Sequence, residues 1–147
     1  MKYSCEIEIN LPVSRVVELF DSVENLKKWQ PGFVSFEPVS GTTGQVGAKS
    51  RLKYVMGKRE IEMIETITVK DLPREFSGTY EAKGVWNEAK NFFIPLGANK
   101  TLYKSENEFR FSGFMKLIGL LMPGAFKKQS MKYLELFKEF AESEGNN

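Results

Sequence analysis

The stretch 122–143, MPGAFKKQSMKYLELFKEFAES, decides the fold. Phe126, Ser130, Tyr133, Leu134, Phe137 and Ala141 recur at three- and four-residue intervals, while Lys127, Lys128, Lys132, Lys138, Glu139 and Glu142 fall mostly between them. That spacing belongs to a helix with one face to bury. It is the only segment long enough for about five helical turns. Nearly everything from Val34 to Phe111 has strand periodicity instead, so the partner of the helix is expected to be a curved sheet. A sheet wrapped on one long helix encloses space.

Upstream of that helix, Pro123 and Gly124 should break or kink it near its start, and Ser112-Gly113 hands over from the last strand, Lys100 to Phe111. Gly97 to Asn99 reads as a hairpin turn. The strand before it, Val85 to Leu96, is ambiguous in phase: Trp86, Phe92 and Ile94 lie on one side, Val85, Ala89 and Phe93 on the other. Phe76, Gly78, Tyr80 and Ala82 alternate with Glu75, Ser77, Thr79 and Glu81, a half-buried strand between turns at Asp71 to Arg74 and Lys83-Gly84. Leu52, Tyr54 and Met56 form one apolar face and Ile61, Met63, Ile67 and Val69 another, joined by Gly57-Lys58; Glu65 interrupts the second. The glycine-rich loop 41–47 lacks the spacing of a phosphate-binding loop and leads into a strand, so it reads as a hairpin connection. At the N-terminus, Tyr3, Cys5, Ile7 and Ile9 mark a first strand that Pro12 ends. Val13, Val16, Val17 and Phe20 have the spacing of a short helix. Asp21 and Glu24 resemble a capping box opening a second one, with Trp29 near its end and Pro31-Gly32 beyond it.

A chain of 147 residues with 41% hydrophobic content suits one domain, spanning residues 1–147, able to bury roughly two-thirds of its unfolded surface. With 21 basic and 19 acidic residues and no long run of either sign, no nucleic-acid partner is expected. No apolar run approaches a membrane span. The first residues lack the basic and apolar regions of a secretory signal. The single cysteine, Cys5, has no internal partner for a disulfide, and a reducing, cytoplasmic setting is expected. There is no histidine. Its lack removes the commonest catalytic base and, beside a single cysteine, the usual zinc and copper ligand sets; no metal or cofactor is expected.

The order of elements, one strand, two short helices, about six more antiparallel strands and a long last helix (β-α-α-β6-α), is an α+β arrangement. It resembles the START-like, or birch-pollen-allergen-like, helix-grip superfamily, and within it the polyketide cyclase/dehydrase-like branch called SRPBCC. The residues carrying the resemblance are Ile7 to Pro12 with Val16 to Asp21, then Asn25 to Pro31, Gly44 to Gly47, and the closing Leu134 to Glu142. The resemblance implies a pocket for an apolar or amphipathic small molecule, lipid- or polyketide-like, between sheet and last helix. It also implies that Phe126, Ser130, Leu134 and Phe137 line that pocket beside the apolar strand faces, including Met56 and Met63. The cyclising members rely on pocket Arg, Asp, Tyr, Trp or His side chains, and no complete set of these matches here.

Among individual residues, Glu65 is the candidate catalytic group. A carboxylate on an apolar strand face must be paired, hydrogen-bonded or protonated, and burial can raise its pKa toward that of a general base. The competing reading is an ion pair with Arg51 or Lys90, or escape to solvent. Tyr54, Tyr80, Trp86 and Tyr103 could offer stacking surface and polar tips to a planar ligand, against simple core packing. Leu117 to Phe126, apolar nearly all round, reads as a gate over the cavity, a patch for a membrane or protein partner, or packing across the sheet opening. A binding module without catalysis leads; a cyclase or dehydrase using Glu65 requires that carboxylate to face the pocket with a polar partner.

Overall fold

The computed structural model describes residues 1–145. The frayed tail expected at Gly145 to Asn147 therefore falls largely outside the described residues. Seven antiparallel strands, β1 (Lys2–Ile9), β2 (Phe33–Ser40), β3 (Lys49–Met56), β4 (Arg59–Asp71), β5 (Glu75–Ala82), β6 (Val85–Pro95) and β7 (Thr101–Phe111), form one sheet in the order β1-β7-β6-β5-β4-β3-β2. Between β1 and β2 come α1 (Val13–Phe20) and a four-residue α2 (Leu26–Trp29), the latter entered through one 3-10 turn. After β7 come α3 (Phe114–Leu121) and the long α4 (Pro123–Glu144). This is the helix-grip arrangement expected of the sequence. α4 begins one residue inside the stretch that predicts it, with Pro123 in the first turn, where a missing N–H costs nothing.

The break at Pro123 is more than a kink. Met122 leaves helical geometry altogether, at φ −131° and ψ 56°, and the apolar segment before it forms the separate helix α3. The capping box is not made. Ser22, not Asp21, opens the 3-10 turn, and its hydroxyl donates to Glu24 Oε2 at 3.2 Å. Asp21 instead ends α1, its N–H donating to the Val17 carbonyl, and its carboxylate pairs with Lys70 at 3.4 Å. The loop 41–47 joins β2 to β3 with Gly41, Gly44 and Gly47 all at positive φ, the conformation a hairpin connection of this kind needs.

Register sorts the strand residues into two faces. Tyr103 lies opposite Ile7 on one side and Phe93 on the other; Asn87 faces Phe109 and Tyr80, and Glu65 lies between Tyr80 and Ser50. Alternation then carries Tyr3, Cys5, Ile7, Ile9, Phe76, Asn91 and Met63 to the same concave side. The phase of β6 is thereby fixed: Val85, Asn87, Ala89, Asn91 and Phe93 point inward, Trp86, Phe92 and Ile94 outward.

The two ends of the grip differ. At the end closed by α1, Phe20 makes ring contacts of 5.0–6.3 Å with Trp29, Phe76, Phe93, Tyr103 and Phe137. Phe93, Phe137, Ile9 and Val16 are wholly buried there. Edge-on packing of this kind adds to the burial of the rings. The C-terminal half of α4 is fastened to this end by Glu142, which accepts from the Asn10 N–H and from Lys138 Nζ, both at 2.8 Å. The other end, with the hairpins at Gly57-Lys58 and Lys83-Gly84, lies under the N-terminal half of α4 and beside α3.

Candidate functional site

The inward face of the second end carries polar groups, not a continuous apolar lining. Asn87 Nδ2 donates to the Glu108 carbonyl at 3.1 Å and to Asn107 Oδ1 at 3.3 Å, and Asn107 Nδ2 donates to Ser105 Oγ at 2.9 Å. Tyr103 OH donates to Asn91 Oδ1 at 2.9 Å. Beside this ladder, the Tyr80 hydroxyl donates to the Glu65 carboxylate. Glu65 therefore has a polar partner on the concave side. The alternative ion pairs do not form: Arg51 joins Glu62 at 2.6 Å and Glu37 at 3.5 Å, and Lys90 joins Glu88 at 3.9 Å.

Burial raises the pKa of Glu65 above the usual 4.5, and the Tyr80 hydrogen bond only partly offsets it. Tyr80 is pushed well above the ordinary tyrosine value by burial first and by the adjacent Glu65 charge second. Tyr54 is raised by burial, with contributions from Tyr133 and Glu65. The Glu65 charge thus raises both Tyr54 and Tyr80. Tyr80, Glu65 and Met63 lie on the concave side and each keeps part of its surface accessible.

Tyr133 also borders a recess of about 400 Å³ between α4 and the β3–β4 hairpin. Pro31, Gly32, Val55, Met56, Gly57, Gln129, Lys132 and Leu136 complete its rim. The volume falls within the range of small-molecule sites. Behind it, Tyr54 OH donates to Gln30 Oε1 at 2.6 Å.

The sequence-derived candidates separate into three groups. Met56, Met63, Glu65, Tyr80, Phe126 and Ser130 lie on the inner side and keep accessible surface. Ser130 shares a 2.6 Å hydrogen bond with Tyr3 OH, and Phe126 packs on Phe109 and Phe111 at 5.1 and 4.9 Å. Tyr54, Tyr103, Leu134 and Phe137 face inward but are buried, the last three within the sealed aromatic core. Trp86 departs from expectation. It lies on the outer face, where the Arg110 guanidinium covers its ring at 4.4 Å. The phase of β6, ambiguous in sequence, turns it away from the interior.

Sequence reasoning missed the inward polar residues Asn87, Asn91, Ser105 and Asn107. Their signal was present in β7, where Thr101, Tyr103, Ser105 and Asn107 alternate with Leu102, Lys104, Glu106 and Glu108. Because both sets contain polar residues, the pattern does not say which faces inward. Trp29, at the end of α2, packs its ring 5.1 Å from Phe137 of α4, and its Nε1 is buried with no hydrogen-bond partner among the described residues.

No family model matches the chain, and no curated protein matches it in sequence. Solved structures do match in fold. A START superfamily protein from Mycobacterium smegmatis superposes with a TM-score of 0.76 at 12% identity, over 97% of each chain. An aromatase/cyclase from Streptomyces sp. R1128 gives 0.75 at 14% identity, over 97% of this chain and 93% of that one. Norcoclaurine synthase from Thalictrum flavum, solved with dopamine and hydroxybenzaldehyde, gives 0.73 at 16% identity, over 97% of this chain and 87% of that one.

Proposed function

From the helix-grip fold that this chain shares with START-like structures, we propose that it binds or carries a hydrophobic small molecule between sheet and α4. The observation supporting this reading is the pair Glu65 and Tyr80 on the concave face, each partly accessible, with Met63 beside them. The inward-facing Glu65 and Tyr80 favour an occupant that is lipid- or polyketide-like with a hydroxyl or keto group. The relatives that bind or convert small aromatic molecules support a ligand of this general kind. The buried free thiol of Cys5 is consistent with a reducing compartment such as the cytoplasm.

Native mass spectrometry of protein purified from its own host, followed by extraction, tests the reading. The expected result is a stoichiometric apolar molecule, displaced when Met63→Trp fills the interior. An empty protein that also binds nothing from a panel of fatty acids, sterols and aromatic polyketides overturns it.

The Glu65–Tyr80 hydrogen bond favours a second reading, a cyclase or dehydrase in which the carboxylate moves a proton. Its pKa is shifted toward the working range by burial, and Tyr80 holds the group in place. On this reading Glu65→Gln retains ligand binding and abolishes conversion. Equal conversion by the variant would eliminate Glu65 as the base.

A further inference from the structure

We propose that α3 docks the protein on an anionic lipid surface, with its long axis in the plane of the membrane. The helix has its apolar side turned the wrong way for a soluble domain. Phe114 is 73% exposed, Leu117 50%, Leu120 77% and Leu121 67%, and Met122 just beyond is 55% exposed. The contacts that hold α3 in place use other residues. Gly119 lies so close to the Phe111 ring that an added Cβ would come within 2.7 Å of it, and Met115 sits against Gly84. The positions fastened to the sheet and those left to solvent are therefore on opposite sides of one helix, and the free side carries the larger residues. Four adjoining large apolar side chains exceed what scattered surface exposure explains.

Charge identifies the occupant. From Phe109 to Leu134 the chain contains Arg110, Lys116, Lys127, Lys128 and Lys132 and no acidic residue. Lys116, Lys127 and Lys128 are exposed, on α3 itself and on the first turns of α4. Glu108, on the neighbouring strand, is engaged by Arg110 at 3.3 Å and Lys2 at 3.9 Å, and Glu81 stands exposed on β5. An apolar strip edged by lysines matches acyl chains beneath anionic headgroups. A second copy docking by the same face would set lysines against lysines. The helix cannot span the bilayer: eight residues cover about 12 Å, against a hydrocarbon core of about 30 Å. No helix among the described residues is long and apolar enough to cross a membrane. Docking through α3 would bring the end of the grip that holds Tyr80 and Glu65 to the lipid surface.

The test is co-sedimentation of the full chain with vesicles of phosphatidylcholine alone and of equal parts phosphatidylcholine and phosphatidylglycerol. Two variants accompany it, Leu120→Ser/Leu121→Ser and Lys116→Glu/Lys127→Glu/Lys128→Glu, each checked by thermal melting for an intact fold. The wild type is expected to bind the anionic vesicles and to be released by salt. The leucine pair should weaken binding about tenfold or more, and the lysine triple should abolish the preference for phosphatidylglycerol. Failure to bind either vesicle, or binding unchanged in the leucine pair, overturns the proposal. So does a wild-type dimer in light scattering that the leucine pair converts to monomer, since a second copy would then cover the face. None of these outcomes depends on whether the interior holds a ligand.

Discussion

Glu65 shows how one side chain sets a pH dependence. Folding makes it harder to ionise, mainly through burial. It therefore binds its proton more tightly in the folded chain, and its contribution to stability is fully present below the ordinary glutamate range. That contribution is lost as pH rises from there through the raised folded value. Glu65→Gln should flatten this slope, so that the variant gains on the wild type between acid and neutral pH; melting curves across that window measure it. A wild-type slope unchanged by the substitution would mean that Glu65 ionises freely. Tyr80→Phe acts in the opposite sense on the same carboxylate. It removes the donor that favours the charged form, and a carbon-detected NMR titration should find the Glu65 pKa higher still. Glu142 supplies a contrast: burial opposes its ionisation, but the Asn10 N–H and Lys138 outweigh burial and bring its pKa down. Its share of stability is lost as pH falls.

At the scale of elements, α4 divides into a clamped and a lightly held half. Its C-terminal half ends in Phe137, Phe140 and Ala141, all buried, whereas its N-terminal half rests on β1 through Tyr3 and on β7 through the Phe126 ring. The Tyr3 hydroxyl meets Ser130 Oγ at 2.6 Å and donates to the Phe126 carbonyl at 3.0 Å; burial pushes its pKa up to about 12. Tyr3→Phe should cost about 1 kcal/mol. Hydrogen exchange should quicken at the amides of residues 127–131 and remain unchanged near Phe137. Uniform acceleration along α4 would contradict this division. The helix itself was legible because its apolar spacing persists over five turns, and the first strand because Tyr3, Cys5, Ile7 and Ile9 alternate without exception. β6 was not, since Trp86 and Phe92 on one side match Val85 and Phe93 on the other, and apolarity alone then has no preferred face. What decided it was pairing with β7, a long-range fact that no local window contains. For the same reason Glu65 could be singled out as an anomaly, but its Tyr80 partner belongs to a different strand and came only with the register. Leu117 to Phe126 reads in sequence as apolar nearly all round, and which side of α3 is exposed came only with Gly119, the small residue that lets the opposite side pack against Phe111.

The whole molecule combines an aromatic, tightly packed end with a more polar one. Phe137 is the centre of the first, since its ring touches Phe20, Trp29, Tyr103 and Phe140 and it is wholly buried. Phe137→Ala should destabilise the chain by roughly 3–5 kcal/mol, seen as a lower urea midpoint with unchanged slope. A loss below about 1 kcal/mol would mean that the aromatic cluster is loosely packed. The polar end has no comparable keystone: Asn87, Ser105 and Asn107 hold one another through hydrogen bonds, and larger motions are expected there.

The chain has two tryptophans, and the fold has put one on each side of the sheet. Trp29 is 8% exposed among aromatic rings; Trp86 lies outside beneath a guanidinium. The protein thus carries two light emitters with separate surroundings, one reporting on the interior and one on the bulk. A dissolved quencher should dim the outer emitter and spare the inner one. Replacing Trp86 by phenylalanine would leave a single lamp inside the grip, whose colour and brightness register whatever enters.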